Sequence, residues 1–273
     1  MHKMLKFKQL FNKRLSVIGM IHVGALPGTP CYEGSVSKLI DRACEEAEIY
    51  QSCHIDGVLV ENMHDIPYIQ ASELQPETVA FMTRLCTEVR KILAASIPCG
   101  VQVLAGGNKE ALAVAAASRL QFIRAEGFVF GHVADEGYID ACAGSLLRYR
   151  KHIGAQDVLV FTDIKKKHSA HAVTSDVSIE ETAKAAEFFL SDGVIVTGSA
   201  TGQPADCSEL QRVRDSVRLP VLVGSGASLR NLHQYAQHAD AVIVGTNIKT
   251  NGRWQNPVEK SRVAAFLEES NKI

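Results

Sequence analysis

The sequence predicts a single (β/α)8 TIM barrel. From residue 16 onward, eight short apolar runs alternate with eight longer helical patterns, about 32 residues per unit, which fits a repeated strand–helix unit. No GxGxxG follows the first run, and no Pro/Ser-rich linker divides the chain, so a closed barrel is favoured over an open doubly wound sheet. We therefore assign residues 16–273 to one barrel domain.

The eight predicted strands are rich in Val and Ile and lack polar alternation in their first halves, which is typical of parallel strands covered on both faces. They span residues 17–23, 57–60, 100–105, 122–128, 158–164, 193–196, 220–223 and 241–244. The helices that follow them span residues 41–51, 76–93, 110–119, 141–152, 179–190, 208–217, 229–238 and 258–268. Ser178 stands three residues before Glu181, a capping-box spacing that indicates a helix start.

Residues 1–15 differ from the rest of the chain. They hold several cations and no acidic residue, since the first carboxylate of the chain is Glu33. An apolar stripe that includes Phe7 and Phe11 runs beside the basic one. An acid-poor, basic, amphipathic start is typical of a mitochondrial presequence, and the alternative is a basic arm on a cytoplasmic protein. Under both interpretations the segment is loose, and its removal should change stability by no more than about 1 kcal/mol.

The amino-acid composition limits the classes of molecule that the protein is expected to bind. The 29 basic and 30 acidic residues give a formal charge of −1, so no basic excess favours nucleic-acid binding. No apolar run reaches the roughly 20 residues that span a bilayer, which argues against membrane insertion. The seven cysteines form no CxxC pair, which favours a reducing compartment over a disulfide framework or structural zinc. Homo-oligomerisation is left open.

Glycines follow the seventh and eighth predicted strands, at the corner of a barrel that commonly holds phosphate. Glycines there let backbone N–H groups approach an anion. The alternative is that they only make tight turns. The predicted phosphate-binding residues are Gly224, Ser225, Gly226, Gly245 and Thr246, and Thr197 and Ser199, after the sixth strand, are predicted to line the same side as substrate-binding residues.

Charged residues alternate with apolar ones in the fourth and fifth strands. Arg124 and Glu126 share a face with Phe122, and Asp163 and Lys165 share a face with Phe161, so all four charged side chains are predicted to point into the barrel. Buried charges persist only when they are paired or bound to a ligand, which leaves a structural salt-bridge network and a substrate site as alternatives.

Lys165 could act as a cation for an anionic substrate, as a proton carrier or as a Schiff-base amine. Lys166 and Lys167 are interpreted as a solvated loop. His168 is placed in a mobile lid that contacts substrate.

The first three strands end in further polar residues. His22 is a candidate proton carrier or metal ligand, with a hydrogen-bonded core histidine as the alternative. Either Glu61 or Asn62 points inward, and the amide of Gln102 requires polar partners. A divalent ion held by His22, Glu61, Glu126 and Asp163 is an open alternative, because carboxylates with an imidazole suit Mg, Mn or Zn. No other cofactor is implied.

Five segments resemble the BtpA family, and the resemblance covers about residues 16–268. The segments are GMIHVGALPG at 19–28, GVLVENMHD at 57–65, RAE at 124–126, FTDIKKKHS at 161–169 and VGSG at 223–226. The family is named for a cyanobacterial protein needed for photosystem I accumulation, and it includes a protein from a bacterial sugar-utilisation operon and animal members. The resemblance implies a TIM-like phosphate-binding barrel, with no reaction assigned, and it favours a mitochondrial location over a cytoplasmic one.

The predicted function is that of an enzyme acting on a small phosphorylated sugar, nucleotide or related metabolite. The inward acids, the Lys and the His, together with the absence of a redox-cofactor fingerprint, favour a lyase, an isomerase or a glycosidic hydrolase. Asp163, Glu61, Glu126 and His22 are the acid/base candidates, while Lys165 and Arg124 would bind charge. The alternative, from a different class, is a non-catalytic assembly factor that uses the barrel as a binding scaffold.

Overall fold

A computed structural model describes residues 2–273 and confirms the TIM barrel. Eight parallel strands close in the order β1-β11-β10-β9-β7-β4-β3-β2. These strands are β1 (Ser16–His22), β2 (Gly57–Glu61), β3 (Cys99–Gln102), β4 (Phe122–Ala125), β7 (Leu159–Ile164), β9 (Gly193–Val196), β10 (Val221–Val223) and β11 (Ala241–Val244). Each observed strand overlaps a predicted strand. The predicted third and fourth strands extend three residues beyond the C-terminal ends of the observed ones.

Helices connect successive strands around the outside of the barrel. They are α2 (Val36–Cys53), α3 (Pro76–Ile92), α4 (Asn108–Ser118), α5 (Ala143–His152), α6 (Ile179–Phe188), α7 (Cys207–Ser216), α8 (Leu232–Tyr235) and α9 (Lys260–Ser270). The predicted capping box at Ser178 and Glu181 is present and starts α6. Among the helices of residues 2–273, none is both long and apolar enough to cross a bilayer.

A second, three-stranded antiparallel sheet was not predicted from the sequence. It consists of β5 (His132–Ala134), β6 (Gly137–Ile139) and β8 (Ser169–Ala170), in the order β6-β5-β8. Its strands come from the loops that follow β4 and β7, so the small sheet lies at the C-terminal end of those barrel strands. That end is the mouth of the barrel, where TIM-barrel enzymes place their active sites.

The apolar core forms two layers, one between strands and helices and one inside the barrel. The inner layer holds aromatic side chains from β4 and β7, Phe122 and Phe161, whose ring centroids lie 5.5 Å apart. Phe7 and Phe11 complete this layer from outside the barrel sequence, with Phe11 5.7 Å from Phe122 and Phe7 5.8 Å from Phe161. Four aromatic rings therefore form the floor beneath the mouth.

The two N-terminal aromatic residues belong to α1 and to the turn after it. Helix α1 (His2–Leu10) covers the N-terminal end of the barrel, and Phe7 and Phe11 are fully buried. Lys3 pairs with Asp192 and Lys13 with Asp56, which fastens the segment at both ends. The expectation of a loose arm is wrong, because the apolar stripe of the segment fills a space that the strands leave open; Met1 itself lies outside the described residues.

Truncating one of these four aromatic side chains should therefore lower the stability of the fold. Phe11→Ala removes a buried ring and should lower the free energy of unfolding by about 3 kcal/mol or more, measured by urea denaturation. Leu5→Ala in α1 is the matched control, because Leu5 is 57% exposed and its truncation should cost less than about 0.5 kcal/mol. Equal effects of the two substitutions would contradict the packing of α1.

Candidate active site

The mouth of the barrel contains a polar cavity of about 40 Å³. His22 from β1, Glu61 from β2 and Arg124 from β4 line it together with Lys167, which follows β7. The loops after β10 and β11 form the opposite wall. All four of these side chains lie where barrel strands end, and the cavity has room for roughly three water molecules or one small ligand group.

A bidentate ion pair joins the neighbouring strands β4 and β7 in the mouth. Arg124 Nε and Nη2 donate to the two carboxylate oxygens of Asp163 at 3.0 and 2.9 Å, and both residues are buried. Burial alone would lower the pKa of Arg124, but the Asp163 carboxylate outweighs it and raises that pKa. Because both oxygens of Asp163 are engaged, this residue orients Arg124 and is poorly placed to take up a proton.

Glu61 and His22 form a pair without a cation between them. Glu61 Oε2 lies 3.9 Å from His22 Nε2, and burial raises the pKa of Glu61. His22 Nδ1 lies 3.0 Å from the Trp254 carbonyl, so Nδ1 carries the proton and Nε2 presents a lone pair. Burial, reinforced by the charge of Lys249, lowers the pKa of His22 to about 3. A buried carboxyl with a raised pKa is a candidate proton carrier, and the neutral imidazole beside it can accept a hydrogen bond at Nε2.

The three consecutive lysines differ from the prediction. Lys165 was expected to point inward, but its φ of 49° ends the strand alternation at Ile164, and its Nζ donates to the Thr174 carbonyl at 2.8 Å. The inward cations are instead Lys166 and Lys167, so the interpretation of those two as a solvated loop is wrong. Burial and the nearby Arg124 lower the pKa of Lys167, and its amine borders the cavity.

Glu126 points into the mouth as predicted, but it is fully paired. Its Oε1 accepts from Lys166 Nζ at 3.1 Å and from Gln102 Nε2 at 3.2 Å, while Oε2 accepts from the Gly106 amide at 3.1 Å. Burial alone would raise the pKa of Glu126, yet Lys166 and these donors lower it. Glu126 therefore stays ionised, and Glu61 is the better candidate for proton transfer.

Several of the side chains predicted to bind substrate instead form hydrogen bonds that link neighbouring loops. The Asn62 amide bridges Asp65 and the backbone of Leu104, facing away from the cavity. His168 bonds to Thr201, and Thr197 Oγ1 accepts from the Lys167 amide. Ser199, which is exposed, contributes its carbonyl to the His168 amide. Asn62 is the clearest departure from prediction, since Glu61 is the residue of that pair that points inward.

The glycine loops have a structural role that the sequence did not indicate. A Cβ at Gly224 would lie 3.1 Å from Arg124 Nη2, and one at Gly245 would lie 3.0 Å from the His22 ring. Both glycines thus leave room for catalytic candidates. A Cβ at Gly226, where φ is +65°, would meet the Gln203 carbonyl at 2.2 Å, so a valine there would disturb the fold as well as any anion site.

Backbone amides of the same loops remain free to bind a ligand. Within residues 2–273, the amides of Gly226, Ala227 and Thr246 make no hydrogen bond, and all three residues line the cavity. The Ser225 hydroxyl, in contrast, accepts from the Gly198 amide and donates to the Gln203 carbonyl. The loops can therefore offer backbone donors to an anion, whereas the Ser225 side chain is already engaged.

The four candidate metal ligands do not converge on one point. Asp163 is held by Arg124 and Glu126 by Lys166, which leaves only His22 and Glu61 facing each other. Over residues 2–273, the structure brings together no group of three or more His, Cys, Asp or Glu side chains suited to a metal ion. The donor arrangement therefore does not favour the divalent-ion alternative.

Comparison with known proteins decides the family. The model of the BtpA family matches residues 13–272. The chain belongs to the BtpA family. A relative from Synechocystis named photosystem I biogenesis protein BtpA is 32% identical over 261 residues, which are 95% of this chain and 89% of that protein. An uncharacterised protein of Caenorhabditis elegans, named as mitochondrial, is 48% identical over 269 residues, which are 97% of this chain and 96% of that protein.

Solved structures confirm the architecture of this BtpA-family chain. Phosphoribosyl anthranilate isomerase from Thermus thermophilus superposes with a TM-score of 0.59, covering 94% of this chain and 99% of that one. The sequence identity is 10%, so the likeness concerns the fold.

Sequence reasoning missed Lys167 and the small sheet over the mouth. The KKK run did mark the end of β7, but alternation could not show which lysine turns inward after a residue with positive φ. His132 and Glu136, which the small sheet brings toward the mouth, lie in a segment without strong strand periodicity. Only the polar residues of this segment could have indicated, from the sequence, that it contributes to the site.

The neutral state of His22 predicts a pH dependence of stability. The folded chain keeps His22 unprotonated down to about pH 3, whereas the unfolded chain takes up a proton below about pH 6.5. The free energy of unfolding should therefore fall as pH decreases through this window, by up to about 1.4 kcal/mol per pH unit from this group. Urea denaturation of the wild type and His22→Gln between pH 6.5 and 4.5 should give a shallower slope for the variant. Parallel slopes would show that His22 titrates normally.

Proposed function

We propose that this BtpA-family barrel is an enzyme that transfers protons on a small phosphorylated metabolite, as isomerases and lyases do. One observation carries the proposal: Glu61 is a buried carboxyl with a raised pKa and lies 3.9 Å from the free nitrogen of a neutral His22. Burying a carboxyl whose pKa stays raised despite the charges of Arg124 and Lys167 costs stability, which is typical of sites retained for chemistry.

The phosphate group would bind at the loops after β10 and β11. Free amides of Gly226, Ala227 and Thr246 supply hydrogen-bond donors, and Arg124 and Lys167 supply positive charge on the facing side. A phosphate at this corner is common in barrels of this fold. The isomerase with which this chain superposes is named for a phosphoribosyl compound, which supports the same class of ligand.

The other side chains of the mouth would have separate roles in the reaction. Glu61 would exchange a proton with the carbon or oxygen of the substrate, and the neutral His22 would accept a hydrogen bond at Nε2, while Arg124, fixed by Asp163, would stabilise negative charge that develops there. Lys167 replaces Lys165 as the candidate amine: it supplies a cation to the phosphate, and its lowered pKa makes it lose a proton more readily than an ordinary lysine, as a proton carrier or Schiff-base nucleophile must. Asp163 acts by positioning Arg124.

Two further expectations rest on the named relatives. The worm relative is named as mitochondrial, which together with the basic start of the chain supports a mitochondrial location over a cytoplasmic one. The Synechocystis relative is named as a biogenesis protein, which supports a scaffold as the second candidate function. A scaffold would still restore growth or assembly in a null strain when it carries Glu61→Gln, whereas an enzyme would not.

Phosphate binding is testable without knowing the substrate. Inorganic phosphate at millimolar concentration should raise the melting temperature of the wild type, because a ligand that binds only the folded state stabilises it. Lys167→Met should reduce that rise, since it removes a cation from the cavity. Lys260→Met, an exposed lysine at the start of α9, is the control and should respond like the wild type. An equal rise in all three proteins would place the anion outside the mouth.

Catalysis is testable with a library of phosphorylated metabolites. The wild type should convert one compound, followed by phosphorus NMR or mass spectrometry, and Glu61→Gln should lower that rate by about 100-fold or more, within the range for losing a general acid or base. The same variant should keep its melting-temperature response to inorganic phosphate. Unchanged turnover in Glu61→Gln would exclude this residue from proton transfer.

A further inference from the structure

Unpaired polar atoms are concentrated beneath the small sheet. Within residues 2–273, four buried side-chain nitrogen or oxygen atoms lack a hydrogen-bond partner, and three of them are Gln102 Oε1, His132 Nε2 and Glu136 Oε1. Gln102 is 2% exposed and His132 is 5% exposed. Because a buried polar atom without a partner is costly, such atoms require a specific explanation.

Glu136 contacts the Lys166 ammonium group directly, and Gln102 shares a Glu126 oxygen with it. His132 is close enough that the charge of Lys166 helps to lower its pKa. Lys166 Nζ lies 3.1 Å from Glu126 Oε1 and 3.7 Å from Glu136 Oε1, and Gln102 donates to the same Glu126 oxygen. The His132 ring lies 5.6 Å from that of His171, whose Nε2 is 2.9 Å from the Lys166 carbonyl. We call Gln102, Glu126, His132, Glu136 and Lys166 the Lys166 cluster.

The charges of the Lys166 cluster restrict the chemistry of a ligand. An ammonium group would lie against Lys166, and a carboxylate or second phosphate would lie against Glu126 and Glu136. A hydroxyl group avoids both repulsions, because it donates to the free oxygens of Gln102 or Glu136 and accepts from Lys166. A cavity of about 20 Å³ borders His132, His171 and Lys166, which is room for one water or one hydroxyl, and Gln102 and Glu136 are not part of its lining.

The position of the Lys166 cluster relates it to the proposed phosphate site. In the closed barrel order, β3 and β4 lie diametrically across from β10 and β11. Gln102 ends β3 and Glu126 follows β4, while the free amides of Gly226 and Thr246 follow β10 and β11. A molecule anchored by phosphate at one wall would have to extend across the mouth for its far end to reach the Lys166 cluster.

We infer that the small sheet β6-β5-β8 completes a hydroxyl-binding site, and that the substrate is a phosphorylated polyhydroxylated compound of the sugar-phosphate class. This inference rests on the proposed function, since it uses phosphate as the first anchor. His132 and Glu136 come from the sheet, and Gln70 Nε2 holds the sheet in place by donating to the Glu136 carbonyl at 3.1 Å. The sheet is thus a specificity element, and the sugar hydroxyls satisfy the atoms left unpaired.

The test compares three probes on the full chain by calorimetry: inorganic phosphate, ethyl phosphate and a pentose 5-phosphate. The wild type should bind the pentose phosphate about tenfold or more tightly than ethyl phosphate, the gain expected from one or two added hydrogen bonds. Gln102→Met and His132→Phe should bring that ratio close to one while leaving the affinity for inorganic phosphate unchanged. The melting temperature of His132→Phe without ligand should equal or exceed the wild-type value, because the substitution removes an unpaired buried atom, whereas Gln102→Met also removes the hydrogen bond to Glu126 and should be somewhat less stable.

Val133→Ser is the matched control, because Val133 lies on β5 beside His132 but is 43% exposed; it should keep the wild-type ratio. Equal binding of pentose phosphate and ethyl phosphate by a wild type that binds inorganic phosphate would overturn this inference alone. A preference that survives both substitutions would also overturn it, by placing the hydroxyl contacts elsewhere. No binding of any of the three probes by the wild type would instead overturn the proposed function.

Discussion

The buried Arg124 guanidinium is the charge on which the arrangement of the mouth depends. Asp163 holds it in a bidentate pair, and Gly224 provides both a carbonyl contact at 3.4 Å and the space that the guanidinium occupies. Its field helps to lower the pKa of Glu126 and of Lys167 and opposes the rise in that of Glu61. Removing one partner of a buried pair leaves an uncompensated charge, so the geometry of the mouth and the protonation of its acids are linked.

The sequence was sufficient for the barrel and for part of the site. Period-two alternation in buried strands placed Arg124, Glu126 and Asp163 correctly, because strand geometry fixes the side-chain direction as long as the strand continues. It failed one residue beyond β7, where the positive φ of Lys165 reverses the alternation and brings Lys166 and Lys167 inward. Side-chain direction in loops depends on tertiary contacts, which a single sequence does not contain.

The glycines that follow the last two barrel strands illustrate a second limit of prediction from the sequence. A glycine after a strand indicates that no side chain is tolerated, but it does not indicate what occupies the space. The neighbours at Gly224 include Ile195 and Arg124, and the nearest one at Gly245 is His22; Arg124 and His22 lie a hundred or more residues away from these glycines in the chain. A glycine can serve to let backbone amides approach an anion, or to leave space for a neighbouring catalytic side chain, and the two cases have the same sequence pattern. Here both roles are compatible, because only the backbone amides face the cavity.

The floor formed by α1 has a consequence for how the chain matures. Phe7 and Phe11 precede the rings that receive them, Phe122 and Phe161, by more than a hundred residues in the chain. Until β4 and β7 form, the apolar side of α1 has no partner, and once they have formed the same side is enclosed. The N-terminal end of the barrel is therefore completed late in folding, although the segment that completes it comes before every barrel strand in the sequence.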